Sequence, residues 1–114
     1  MDIRESQIEK CKKYGADCDP PDSNLVLGIS KDFFSNKLPI NGLRHPAEGN
    51  SCGWYLWIGE EISDAQDYFR PIHVSHLVEK FPKLIPYLGL PAGWRFLVAD
   101  DYEDIWFDES LLKI

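Results

Sequence analysis

Few residues of this chain have the types and spacing that chemistry needs. His73-Val74-Ser75-His76 has the i, i+3 spacing that puts two imidazoles on one face of a helix, and Glu79 continues that face. Imidazole and carboxylate converging in this way could hold a divalent ion. His73 follows Pro71 by two residues, however, which sets it at or before a helix start. Surface or structural duty is the commoner role for such histidines. Cys52 beside Gly53, with one of these histidines and an aspartate, could assemble a thiol triad. Neither a nucleophile elbow nor a family-type cysteine signature surrounds it. Asp100 and Asp101 are adjacent in an expected loop, where water favours two ordinary carboxylates over a tuned acid–base pair. Gly89 and Gly93 flank a proline turn and do not form a phosphate cradle. Cys11 and Cys18 lie across a Gly-containing turn and Cys52 stands alone, which makes neither a disulfide framework nor a zinc site. By their types and spacing alone, these residues favour structural or surface roles over catalysis or a metal site.

The acids are the more informative group. The chain has 114 residues, 19 acidic against 12 basic, and a net charge of −7. Residues 1–57 hold 8 acids and 7 bases, whereas residues 58–114 hold 11 acids and 5 bases. Two clusters carry the excess: Glu60, Glu61, Asp64 and Asp67, then Asp100, Asp101, Glu103, Asp104, Asp108 and Glu109. Such a balance argues against binding a phosphate backbone, which needs clustered Lys and Arg. The acids serve either as a solvated rim or as a surface aimed at a basic partner.

The elements that must position these groups follow from the pattern. Ile3 to Tyr14 reads as a short amphipathic helix with Ile3, Ile8 and Cys11 on its apolar stripe, capped by Gly15. Asp17 to Ser23, with Pro20-Pro21, is a linker. Leu25 to Ser30 is a buried strand, and Ser30 can cap a helical turn through Asp32-Phe33-Phe34. Ile40 to His45 is either a strand or, through Asn41-Gly42, a turn. Gly53 to Gly59 is the strongest strand. Trp54, Leu56 and Ile58 share one face and Tyr55 and Trp57 the other, so it belongs at the centre of a sheet with cover on both sides. Asp64 to Phe69 is expected as a helical turn ended by Pro71, Val74 to Phe81 as a helix, and Lys83 to Leu88 as a segment kinked by Pro86. Trp94 to Ala99 and Asp104 to Phe107 form a hairpin around the acidic loop Asp100 to Glu103.

These elements predict an α+β fold: a single small domain with a mostly antiparallel twisted sheet, a few short helices and an N-terminal helix. Residues 1–23 are the helix and the Pro/Asp-rich linker; residues 24–114 are the main domain. Hydrophobic residues make 44% of the chain and aromatics 13%, enough for one core and too few residues for two. The four tryptophans fall in predicted strands and are mainly core. One left exposed beside carboxylates would suit a sugar or a protein interface. The charged N-terminus lacks a signal-peptide core, and no window approaches the roughly 18 apolar residues of a membrane span. The expected location is cytoplasmic.

One ordered set of short motifs goes further. Ile29-Ser30-Lys31-Asp32 is followed by Gly53-Trp54 and Gly59-Glu60-Glu61. Asp67-Tyr68-Phe69, Leu84-Ile85-Pro86-Tyr87-Leu88, Pro91-Ala92-Gly93-Trp94-Arg95-Phe96 and Trp106-Phe107-Asp108 come after them. From Leu25 to Asp108 this order resembles the immunity protein 33-like family of bacterial polymorphic-toxin immunity proteins. The family's tyrosine-rich strand ending in arginine is reduced here to Gly42-Leu43-Arg44-His45-Pro46, with Arg44 in correspondence. The helix through Tyr14 lies outside the resemblance. The resemblance implies a non-catalytic cytoplasmic protein, monomer or weak dimer, that binds and neutralises a cognate toxin without metal, cofactor, nucleic acid or membrane. It assigns Glu60 and Glu61 to the family's Gly-Glu turn and Asp67 to its acidic-aromatic segment. With Asp64, Asp100, Asp101, Glu103 and Asp104, these are the expected toxin-facing residues, opposite a basic active-site surface. Two alternatives stand beside it: a metal-binding or hydrolytic domain using His73 and His76, and a sugar-binding module using an exposed tryptophan.

Overall fold

Strand β3 (Ser51–Ile58) organises the molecule, which is known from a computed structural model describing residues 3–31, 33, 38–59 and 69–113. Its side chains alternate as the sequence requires: Cys52, Trp54, Leu56 and Ile58 are buried on one face, and Tyr55 and Trp57 lie on the other. Strand β2 (Ile40–Arg44) pairs with it antiparallel and β1 (Val26–Ser30) pairs with it parallel. Beyond β1 lies β4 (Phe69–His73). Beyond β2 lie β5 (Trp94–Val98) and then β6 (Glu103–Phe107), so the sheet runs β4-β1-β3-β2-β5-β6 with β3 inside it. Every pair but β1–β3 is antiparallel. The α+β architecture with a mostly antiparallel sheet is therefore present.

The three α-helices among the described residues belong to the Trp54 face. They are α1 (Ile3–Tyr14), α2 (Val74–Lys80) and α3 (Ile85–Leu88), with a 3-10 turn over Pro82–Leu84 before the last. The two prolines explain that split, because a ring at an interior helix position removes a donor and clashes with the preceding turn. Cys11, Leu77, Leu84 and Leu88 descend from the helices onto Leu27, Ile29, Leu56 and Phe96 of the sheet. Trp54 sits at the middle of this core. Its Nε1 donates to the Leu88 carbonyl at 3.0 Å, and its ring meets Phe96 edge-on at 5.4 Å. Phe96 in turn stacks on Tyr87 at 5.0 Å.

Helix α1 keeps only part of the expected stripe inward: Cys11 is buried, Ile8 is 46% exposed, and Gln7 takes the inward place that Ile8 leaves. Gln7 earns its place by chemistry: its Nε2 donates to the Ile85 carbonyl at 3.1 Å, so its amide is satisfied while its stem packs against Gly89. The helix ends in a Schellman turn. Gly15 has φ 76°, its N–H donates to the Lys12 carbonyl, and the Ala16 N–H donates to the Cys11 carbonyl at 2.9 Å. That reversal brings the Cys18 thiol into hydrogen bonding with Cys11, and burial with this neighbour pushes the Cys11 thiol up to about 12.

Two local signals are overruled. Asn41-Gly42, a turn signal, lies inside β2. A Cβ on Gly42 would come within 2.4 Å of the Phe96 ring, so the glycine makes room for core packing rather than a turn. Phe69, expected to end a helical turn, starts strand β4, and Pro71 sits within that strand. A proline is tolerated there because β4 is an edge strand. The expected turns through Asp32-Phe33-Phe34 and from Asp64 lie largely outside the described residues. No helix among the described residues is long and apolar enough to cross a membrane.

Candidate functional site

The β5–β6 hairpin carries the second acidic cluster. Its strands pair from Trp94↔Phe107 to Val98↔Glu103, and the Ala99 N–H closes the turn on the Tyr102 carbonyl at 2.9 Å. Asp100 and Asp101 sit exposed at the tip, with Tyr102 beside them at 54% exposure. Asp104 is exposed on the strand. Among the described residues none of these three carboxylates has an ion-pair partner. They are free to meet a cation from outside.

Glu103 differs. It is the first residue of β6 rather than part of the loop, and its side chain turns toward the helices. Lys10 Nζ reaches it at 2.7 Å, the Tyr14 hydroxyl at 2.6 Å and the Tyr87 hydroxyl at 2.5 Å, with Lys13 Nζ at 3.7 Å. Burial pushes this carboxyl up, but donation from Lys10, Tyr14 and Tyr87 outweighs it and brings the group down to about 2. The same bonds work in reverse on the phenols. Tyr14 is raised to about 12, chiefly by its hydrogen bond to Glu103; Tyr87 is raised by burial and then by Glu103. The carboxylate thus joins α1, α3 and the hairpin at one point. At the far end of β6, Asp108 accepts from the Ser110 hydroxyl at 2.6 Å and faces Arg95 Nη1 at 3.6 Å, contacts that hold its carboxyl below the usual range. Glu60, Glu61, Asp64 and Asp67 lie outside the described residues.

The other candidates are dispersed. His73 ends β4 and His76 stands on α2, both exposed, with ring centroids 6.1 Å apart. No group of three His, Cys, Asp or Glu side chains that could hold a metal occurs among the described residues. Cys52 is fully buried on β3, where burial raises its thiol, so neither reach nor reactivity suits it to a nucleophile's role. Trp54 and Trp57 are core residues. Trp94 and Trp106 are half-buried, Trp94 against Phe107 at 5.7 Å and Trp106 under the Arg95 guanidinium at 5.2 Å. None of the four tryptophans is among the fully exposed residues.

A family model for the Imm33-like domain matches residues 6–108. The chain belongs to that family. No curated protein and no solved structure matches it. The Imm33-like match starts within α1, earlier than the Leu25 boundary of the motif resemblance, and this agrees with the packing. Cys11 is part of the main core and Lys10 and Tyr14 hold Glu103, so the helix is integral to the Imm33-like fold.

Arg44 is an interior node that motif reasoning alone leaves without a role. It is 5% exposed and donates from Nε to the Cys52 carbonyl at 3.1 Å, and from Nη1 to the Asp19 and Leu90 carbonyls, each at 2.7 Å. Burial lowers its pKa, opposed by Cys52 and Asp19. Three separate chain segments of the Imm33-like domain are fastened by this one guanidinium.

Proposed function

We infer that this chain is a non-catalytic immunity protein that binds and neutralises a cognate toxin in the cytoplasm of the cell that makes both. Membership of the Imm33-like family carries the reading. The binding surface is acidic: Asp100, Asp101 and Asp104 on the hairpin, with Glu60, Glu61, Asp64 and Asp67 from the first cluster. Their partner is a basic surface on the toxin, such as a groove that otherwise takes phosphate. Glu103 contributes as the anchor that fixes the hairpin on the helices, since its own charge is engaged by Lys10, Tyr14 and Tyr87. Residues 24–114 carry the binding surface and residues 1–23 brace it. The protein acts as a monomer or weak dimer, and no cofactor, nucleic acid or membrane takes part.

Co-expression with the product of the neighbouring gene tests this. The expected result is that the neighbour alone stops growth and this protein restores it. A harmless neighbour, or one that kills regardless, sinks the reading. Charge reversal at Glu60, Glu61 and Asp64 should weaken protection while the domain stays folded; unchanged protection moves the interface away from that cluster.

A further inference from the structure

The two outer strands of the sheet differ in what their backbones offer. In an antiparallel pair, residues alternate between those bonded to the neighbour and those whose N–H and C=O point away. On β4 the phase is set by the Val74 N–H donating to the Leu25 carbonyl at 2.9 Å. With the register Leu27↔Ile72 and Ile29↔Arg70, the outward residues are Phe69, Pro71 and His73. Pro71, at the centre of that row, has no N–H to give, which closes the edge to a further strand. On β6 the phase is set by the Ala99 N–H on Tyr102 and the Asp108 N–H on Gly93 at 2.7 Å. Leu97↔Asp104 and Arg95↔Trp106 are then the bonded pairs, and Glu103, Ile105 and Phe107 face outward. Each of these has both a donor and an acceptor, and none is used by a backbone bond among the described residues.

We propose that the β6 edge is the docking site for an extended, Lys- or Arg-bearing strand of the toxin, which adds to the sheet as a seventh strand. This rests on the immunity reading above. Charge selects the occupant. Asp100 and Asp101 stand at one end of the edge, Asp104 along it and Glu109 just past the other end, while β6 itself contains no basic residue. A second copy of this chain would set the same acids against these, and like charges across a strand pair oppose pairing. A basic strand gains at each of those positions. Phe107, 49% exposed, and Tyr102 supply apolar contact at the two ends. Glu103 holds the start of the strand through α1 and α3, so the edge is rigid before the partner arrives.

Backbone amide exchange on the isotopically labelled full chain tests this, with a catalytically inactive form of the neighbouring gene's product as the probe. On complex formation the Ile105 and Phe107 amides should slow by roughly a hundredfold, while those of Phe69 and His73 do not change. Phe107→Pro removes one outward donor and should weaken binding roughly tenfold more than Phe107→Ala, which loses the ring but keeps the N–H. The protected inward amides of Asp104 and Trp106 report that both variants remain folded. A complex that forms and protects cells while Ile105 and Phe107 exchange as in the free chain overturns the edge and leaves the immunity reading standing. Self-association of the free protein through the same amides overturns the choice of occupant. Failure to form any complex, with no protection, overturns both.

Discussion

The two faces of the sheet are built to different standards. On the Trp54 face, three helices cover the strands and the large polar groups are satisfied: the Trp54 indole by Leu88, the Gln7 amide by Ile85 and the Arg44 guanidinium by three carbonyls. The opposite face has a small cluster of Leu43, Trp57 and Leu111, with Tyr55 and Phe69 against it. Leu111 comes from a short 3-10 helix over Glu109–Leu112. Here Trp57 Nε1, Arg95 Nε and Ser30 Oγ are buried with no hydrogen-bond partner among the described residues. A buried donor left unpaired costs about 1–3 kcal/mol. Among the described residues the first face is thus the better satisfied of the two.

Substitutions can break that contrast, and the largest effect belongs to Arg44. Arg44→Met orphans the Cys52, Asp19 and Leu90 carbonyls together and should cost about 3–5 kcal/mol in urea unfolding. A loss near zero would mean that the guanidinium organises nothing. The same change made on each face is sharper. Trp54→Phe removes ring volume and leaves the Leu88 carbonyl unpaired, for about 2–3 kcal/mol. Trp57→Phe removes an indole N–H that has no partner among the described residues, so the relieved penalty offsets lost packing and the net should stay within about 1 kcal/mol. Equal costs would show that the faces are equivalent.

Glu103 gives a smaller effect with a pH signature. Its carboxyl is depressed from the ordinary 4.5 to about 2, so its contribution is complete above the unfolded value and lost as pH falls from about 4.5 toward about 2. Glu103→Gln should cost on the order of 2 kcal/mol at neutral pH and flatten the unfolding curve within that acid window. An unchanged acid slope would remove the carboxylate from its role at α1. Asp100→Asn with Asp101→Asn and Asp104→Asn is the mildest for the fold. Its stability change should stay within about 0.5 kcal/mol, since these exposed carboxylates have no ion-pair partner among the described residues, while protection in co-expression falls. Full protection would take the hairpin tip out of the interface.

Much of the well-built face was legible in the sequence, because its signals are local and repeated. The alternation through Trp54, Leu56 and Ile58, the proline pair that splits the helical segment, and the Gly15 cap each depend on near neighbours. What escaped depends on partners far along the chain. Asn41-Gly42 leaves Ile40 to His45 open between strand and turn until Phe96 is seen filling the space above the glycine. Phe69-Arg70-Pro71 lacks alternation, and only β1 beside it makes it a strand. Glu103 and Asp104 look alike as neighbouring acids, yet one bonds to Lys10 and Tyr14 while the other faces water. The order of short motifs pointed to the family, and charge placement marked the hairpin. The inward role of Glu103 needed tertiary structure.

The seating of α1 has a consequence for how the protein is made. Gln7 waits for Ile85, 78 positions later, and Lys10 for Glu103, 93 positions later. At ordinary synthesis rates that interval is on the order of 5–20 s. Helix α1, made before the sheet, is thus among the later elements to find its place, and it does so only when β6 exists to receive it. A fold of this design becomes whole in one late step, when β6 closes on α1.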